Sequence, residues 1–157
     1  MDSLEGAAGM PDGWARLWAP HRLGYIKGEN RPLDSNEVAC PFCEIPKRED
    51  RDGLIVHRGQ EAYVVMNLYP YNPGHLLICA YRHVADLTDL SESERNEISA
   101  LTAHAMTTLR KVSGPAGFNL GMNQGAISGA GVAAHIHQHV VPRWSGDANF
   151  MPIIGQT

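Results

Sequence analysis

Three histidines stand at alternate positions in one short segment, His135-Ile136-His137-Gln138-His139-Val140-Val141. Neutral imidazole is a good nucleophile near pH 7 because its ring lone pair attacks without prior deprotonation. Attack on phosphorus would form a phosphoramidate and divide one hard displacement into two easier ones. Neighbouring imidazoles can hydrogen-bond to phosphate oxygens or assist the leaving group. In an extended strand, side chains alternate faces, so His135, His137 and His139 share one face at intervals of roughly 6.5–7 Å. Ile136, Gln138 and Val140 point the other way. A metal stripe is a second reading, and it requires the strand to kink. A purely structural set is a third. The loop Asn123–Ala134 runs directly into the triplet and holds Gly125, Gly129 and Gly131. Its backbone N–H groups can approach an anion closely, as in an anion nest. Phosphate chemistry with one of these imidazoles as attacking group is the reading these residues favour.

A second cluster is Cys40-Pro41-Phe42-Cys43. A CxxC pair serves redox chemistry or zinc. A thioredoxin-like pair belongs between a strand and a helix, whereas this one sits among prolines; zinc needs two more nitrogen or sulfur ligands. Two free buried thiols are the remaining reading. Cys79 stands alone in an apolar run and reads as a core residue. His104, His21 and His57 read as structural or solvent-facing.

These groups need elements to hold them. Residues 1–30 read as an N-terminal arm, with Trp14–Ile26 a short helix or packed segment, and 31–157 as a single domain. Residues 27–53 read as loop around the CPFC pair. Leu54–His57, Glu61–Leu68 and His75–Tyr81 read as strands, the last buried on both faces. YPYNPG, with two prolines and a glycine, is the turn between the second and third. Ser91 and Glu94 form a capping box. Ile98, Leu101, Ala105, Leu109 and Val112 then recur at helical spacing until Ser113-Gly114-Pro115 stops the helix. Phe118–Met122 and His135–Val141 complete the strands, with Pro142 closing the last. Strands, one long helix, then strands give an α+β fold: an antiparallel sheet of about five strands with the helix packed on one face.

Composition narrows the class. At 157 residues the chain fills one domain with a real core. The net charge of −4 with scattered basic residues argues against bulk binding to nucleic acid. No apolar run approaches the roughly 20 residues of a membrane span. The first 30 residues lack the apolar core of a secretory leader, and three cysteines do not make a disulfide scaffold. The expected compartment is the cytoplasm.

The triad motif, with Asn123-Gln124-Gly125 before it and Pro142-Arg143-Trp144 after it, resembles the histidine triad superfamily of nucleotide hydrolases and transferases. Asn72-Pro73-Gly74-His75 is similar to a second family motif, and the likeness runs from about Cys40 to Ile154. PRWSGDANFMP and the upstream LWAPHR resemble a bacterial branch that includes dinucleoside polyphosphate phosphorylases. The resemblance implies His137 as nucleophile, His139 on the phosphate and leaving group, and His135 supporting His137. It implies His75 beside His135, Asn67 on the ribose and Asn123 on the phosphate, with Gln124 a rival because this loop is one residue longer than the common spacing. Gly131 and Val132 stand where a polar side chain is frequent, so contacts from Gly129 and Gly131 would come through backbone N–H. It further implies a structural zinc on Cys40, Cys43, His83 and His135, and a homodimer through the long helix and neighbouring strands. The implied substrate is a dinucleoside polyphosphate such as diadenosine tetraphosphate, split by water or inorganic phosphate. Hydrolysis of nucleoside phosphoramidates or aminoacyl-adenylates, and a non-catalytic nucleotide-binding module, are the alternatives.

Overall fold

The computed structural model describes Arg22, Lys27 and residues 40–147. The arm reading therefore lies outside the described residues, apart from Arg22 and Lys27. Five strands form one antiparallel sheet: β1 (Ile55–Arg58), β2 (Ala62–Met66), β3 (Leu76–Ala80), β4 (Gly117–Gly121) and β5 (His137–Arg143), in the order β1-β2-β3-β5-β4. The central strand, LLICA, is buried along its whole length, as its unbroken apolar run requires. It pairs Cys79 with His137 and Leu77 with His139, which puts the triad segment in the middle of the sheet. Pro142 does not close β5. It lies beyond Val140, the last β5 residue paired with β3, so its missing N–H takes no bond from that side.

The long helix follows the sequence pattern closely. The Ser91 hydroxyl accepts from the Glu94 N–H (3.1 Å) and the Glu94 carboxylate accepts from the Ser91 N–H (2.6 Å). Two orphan donors of the first turn are thereby satisfied. Helix Glu92–Ser113 ends at Gly114 in the left-handed conformation. Ile98, Leu101, Ala105 and Leu109 pack against Val64, Leu76, Ile78, Ile136 and Val140. Val112 is exposed, because the apolar cluster ends a turn earlier at Leu109.

The opposite face of the sheet carries a second cluster around Cys40, Phe42, Tyr63, Val65, Leu77 and Cys79. Here the expected loop is partly helical. Pro41–Glu44 forms helix α1 and Asp50–Gly53 helix α2, with a 3-10 turn at Ile45–Lys47 between them; the long helix is α3. Pro41 and Pro46 occupy first-turn positions, where a missing N–H costs nothing. Prolines that look like loop residues thus start short helices. Arg58 on β1 fastens the segment, donating to the Asp50 carboxylate (2.7 Å) and to the carbonyls of Pro46 and Arg48 (both 2.9 Å). No helix of the described residues is long and apolar enough to cross a membrane.

Candidate active site

Strand alternation carries the triad to the face away from α3, while Ile136 and Val140 enter the helix-side core. His135 falls just before β5. The Ile136 N–H donates to the Val84 carbonyl (2.7 Å), and this contact brings His83 alongside His135, ring centroids 5.3 Å apart.

His135 is fully buried. Its Nε2 lies 2.9 Å from the Ala80 carbonyl, which can only accept, so Nε2 carries the proton and Nδ1 the lone pair. Nδ1 faces Cys40 Sγ (3.3 Å) and Cys43 Sγ (3.5 Å), and His83 Nδ1 lies 3.3 Å from Cys43 Sγ. One donor atom from each of Cys40, Cys43, His83 and His135 falls within 4.8 Å of every other. Tetrahedral zinc with Cys and His ligands spaces its donors by about 3.4–3.8 Å. The four residues therefore fit a metal ion, and Ala80 supplies the carbonyl partner that metal-ligating histidines usually have.

His137 turns its Nδ1 to the His135 carbonyl (2.9 Å). Because that carbonyl can only accept, Nδ1 is the donor and the lone pair stays on Nε2. Phe42 packs on this ring, centroid to centroid 4.7 Å, and Phe42 is itself held by the Tyr63 hydroxyl donating to its carbonyl (2.8 Å). Burial depresses the His137 pKa, partly offset by its bond to the His135 carbonyl.

His75 is not beside His135. Its Nε2 lies 2.9 Å from His139 Nδ1. The strand register explains the correction: His75 stands just before Leu76, whose partner is Val140, so it reaches the His139 end of the triad. The Tyr71 backbone N–H donates to His75 Nδ1 (3.1 Å), and Asn67 Nδ2 is 3.2 Å from the same nitrogen. With Nδ1 an acceptor, neutral His75 must donate from Nε2 to His139 Nδ1, which leaves the His139 proton on Nε2. Burial is the main cause that lowers His75 to about 3 and His139 to about 4; nearby His137 and Arg22 add to it.

The turn that delivers His75 is tightly fixed. Gly74 has φ +74°, and a Cβ there would lie 3.2 Å from Leu109 of α3. Asn72 donates to the Pro142 carbonyl (3.0 Å) and to Asp147 (2.8 Å), and Asp147 pairs with Arg143 (2.8 Å).

His137 and His139 line a cavity of about 390 Å³. Asn67, Asn123, Gly129 and Gly131 line it too; His135 and His75 do not. Gln124 is used elsewhere, accepting from the Leu87 N–H (2.6 Å). The segment Val64–Leu68 divides: Val65, Met66 and Leu68 line the cavity and Val64 enters the helix-side core. Sequence reasoning missed Arg22, Phe42 and Tyr71, which also line it. An aromatic between the two cysteines, and another four residues before His75, were the available signals. Cys79 is a core residue, and His57 and His104 are exposed. His21 lies outside the described residues.

Residues 48–146 match the HIT domain model, and the chain is 48% identical to the AP-4-A phosphorylase of Mycobacterium tuberculosis over 94% of its own length and 77% of that protein's. The chain belongs to the histidine triad family. A histidine triad relative from Schizosaccharomyces pombe, the bis(5'-nucleosyl)-tetraphosphatase (asymmetrical), is 30% identical over 59% of this chain and 50% of that one. Among solved structures, a zinc-bound histidine triad family protein from Mycobacterium smegmatis has a TM-score of 0.62 and 25% identity, covering 73% of this chain and 83% of that one. In this histidine triad the three rings divide into one facing two thiols and two facing a cavity.

The proton positions are open to measurement. Nitrogen-15 NMR should place the His75 and His139 protons on Nε2 and keep both rings neutral from pH 8 down to 5, titrating near 3 and 4. Unfolded histidine, near 6.5, binds protons first, so these groups cost stability as pH falls from 6.5 towards 3. Titration of either ring near 6.5 in the folded protein would contradict the relay.

Proposed function

We propose that this chain is an enzyme that splits dinucleoside polyphosphates such as diadenosine tetraphosphate through a nucleotidyl-histidine on His137. The observation that carries this reading is the His137 ring itself: its Nδ1–H is spent on the His135 carbonyl while the ring lines the cavity. Nε2 attacks the substrate phosphorus; the N–P bond forms as the P–O bond to the departing polyphosphate breaks. His139 Nε2–H donates to the phosphate oxygens, where charge develops. A second nucleophile then attacks the same phosphorus and the N–P bond breaks. Water would release AMP, and inorganic phosphate would release ADP. Similarity to the mycobacterial AP-4-A phosphorylase supports phosphate as the second nucleophile.

Asn67 is assigned to the ribose, and Asn123 to the phosphates in preference to Gln124. Gly129, with φ +84°, and Gly131 would offer backbone N–H groups to the same anion. His75 acts through His139 and not on substrate. Cys40, Cys43, His83 and His135 are assigned to a structural zinc with no open position. Such an ion would anchor His135, whose carbonyl orients His137. Residues 31–157 form the domain and 1–30 an arm. A cytoplasmic homodimer completes the proposal, with edge strand β4 and its exposed Leu120 beside α3 as the contact.

With diadenosine tetraphosphate and inorganic phosphate, the products should be ATP and ADP, and His137→Ala should lower turnover by about 10⁴-fold or more. Production of ATP and AMP alone would remove phosphorolysis, and turnover surviving in His137→Ala would remove the nucleophile assignment. Metal analysis should find about one zinc per chain in wild type and a loss of it in Cys43→Ser, with a lower Tm. Wild type purified without chelator and carrying no zinc would reject the metal site.

A further inference from the structure

The second half-reaction poses an electrostatic problem that the triad does not solve. Inorganic phosphate at neutral pH is an anion, and it must approach a phosphorus that already bears anionic oxygens. Water faces no such repulsion. A site that favours phosphate therefore needs a permanent positive charge beside the acceptor path. His139 and His75 cannot supply it, because burial keeps both rings neutral at that pH.

Among the described residues, the charged side chains lining the cavity are Arg22, Arg48 and Asp52. Arg22 is the one held at the histidine end. It is buried, 9% exposed. Its guanidinium lies 3.8 Å above the Tyr71 ring and donates to the Tyr69 carbonyl. Tyr71 in turn stacks on His75, at 5.4 Å and 24°, and its centroid is 6.3 Å from that of His139. One short segment, Tyr69–His75, thus fixes both the cation and the relay that sets the His139 proton. The planar guanidinium fork matches phosphate geometry, and Tyr71 and Tyr69 hold it in place at the cavity wall.

We propose that the Arg22 guanidinium receives inorganic phosphate beside His137 and so selects phosphorolysis over hydrolysis. The selection rests on the nucleotidyl-His137 reading above; the anion contact does not. In the transfer step a phosphate oxygen forms the new P–O bond, the N–P bond to His137 Nε2 breaks, and ADP leaves. Arg22 gives up no proton.

The test is calorimetric titration of inorganic phosphate into the whole 157-residue chain loaded with AMP, for wild type, R22Q and R22K. R22Q should bind phosphate at least about tenfold more weakly, and R22K about threefold more weakly because the fork is lost. The KM for phosphate with diadenosine tetraphosphate should rise by the same factors, and the ADP-to-AMP ratio should fall. Folding is checked by Tm and AMP affinity; if R22Q fails that check, R22K decides. Wild-type phosphate affinity in the folded variant, or no phosphate binding by wild type, overturns the contact. Phosphate binding that depends on Arg22 in a protein that makes no ADP would instead remove the phosphorylase reading and leave the contact standing. ADP production with phosphate affinity and KM indifferent to Arg22 would do the reverse.

Discussion

One peptide carbonyl joins the two halves of this site. The His135 carbonyl fixes the Nδ1 proton of His137, while the His135 ring is fixed by Ala80 on one nitrogen and faces Cys40 and Cys43 with the other. Rotation of the His137 ring would break that bond and leave a buried acceptor unpaired, at about 1–3 kcal/mol. The nucleophile is therefore oriented by the backbone of its neighbour in the triad, and that neighbour is held by the thiol cluster. This is why Cys40 and Cys43, far from the triad in sequence, belong to the same argument as His137.

Burial does the second part of the work. Each imidazole is taken out of water, which disfavours its charged form and keeps it neutral where an exposed histidine would be half protonated. Neutrality gives each ring one donor and one acceptor, and fixed partners then decide which is which. The Tyr71 N–H sets His75, and His75 sets His139. The cost of burial is that His75 and His139, the relay at the cavity, are not cations at neutral pH. An anionic co-substrate must meet positive charge elsewhere, and Arg22 stands where that charge is needed.

Much of this was legible in the sequence because it rests on local patterns. Period-two spacing placed the triad on one face, the Ser91–Glu94 box and Gly114 bounded the long helix, and the unbroken apolar run at β3 marked the sheet centre. The cluster of Cys40, Cys43, His83 and His135 could be named only through family likeness, because its members meet across strands and loops. What was misread follows the same division. Family likeness sets His75 beside His135, but its neighbour depends on the β3–β5 register, which delivers it to His139. Residues 40–53 looked like loop, because Pro at a first helical turn and Pro in a loop are the same letter. Arg22 lay in a segment without periodicity, and nothing local ties it to a turn some fifty residues on.

The central claim is a covalent bond between His137 Nε2 and the substrate phosphorus. Rapid mixing with diadenosine tetraphosphate in phosphate-free buffer, quenched at alkaline pH and read by intact and peptide mass spectrometry, tests it directly. The expected result is one AMP moiety on the peptide carrying the triad, placed on His137 and discharged as ADP when phosphate is added before the quench. An adduct on another residue, or turnover with no adduct at any time point, would contradict it.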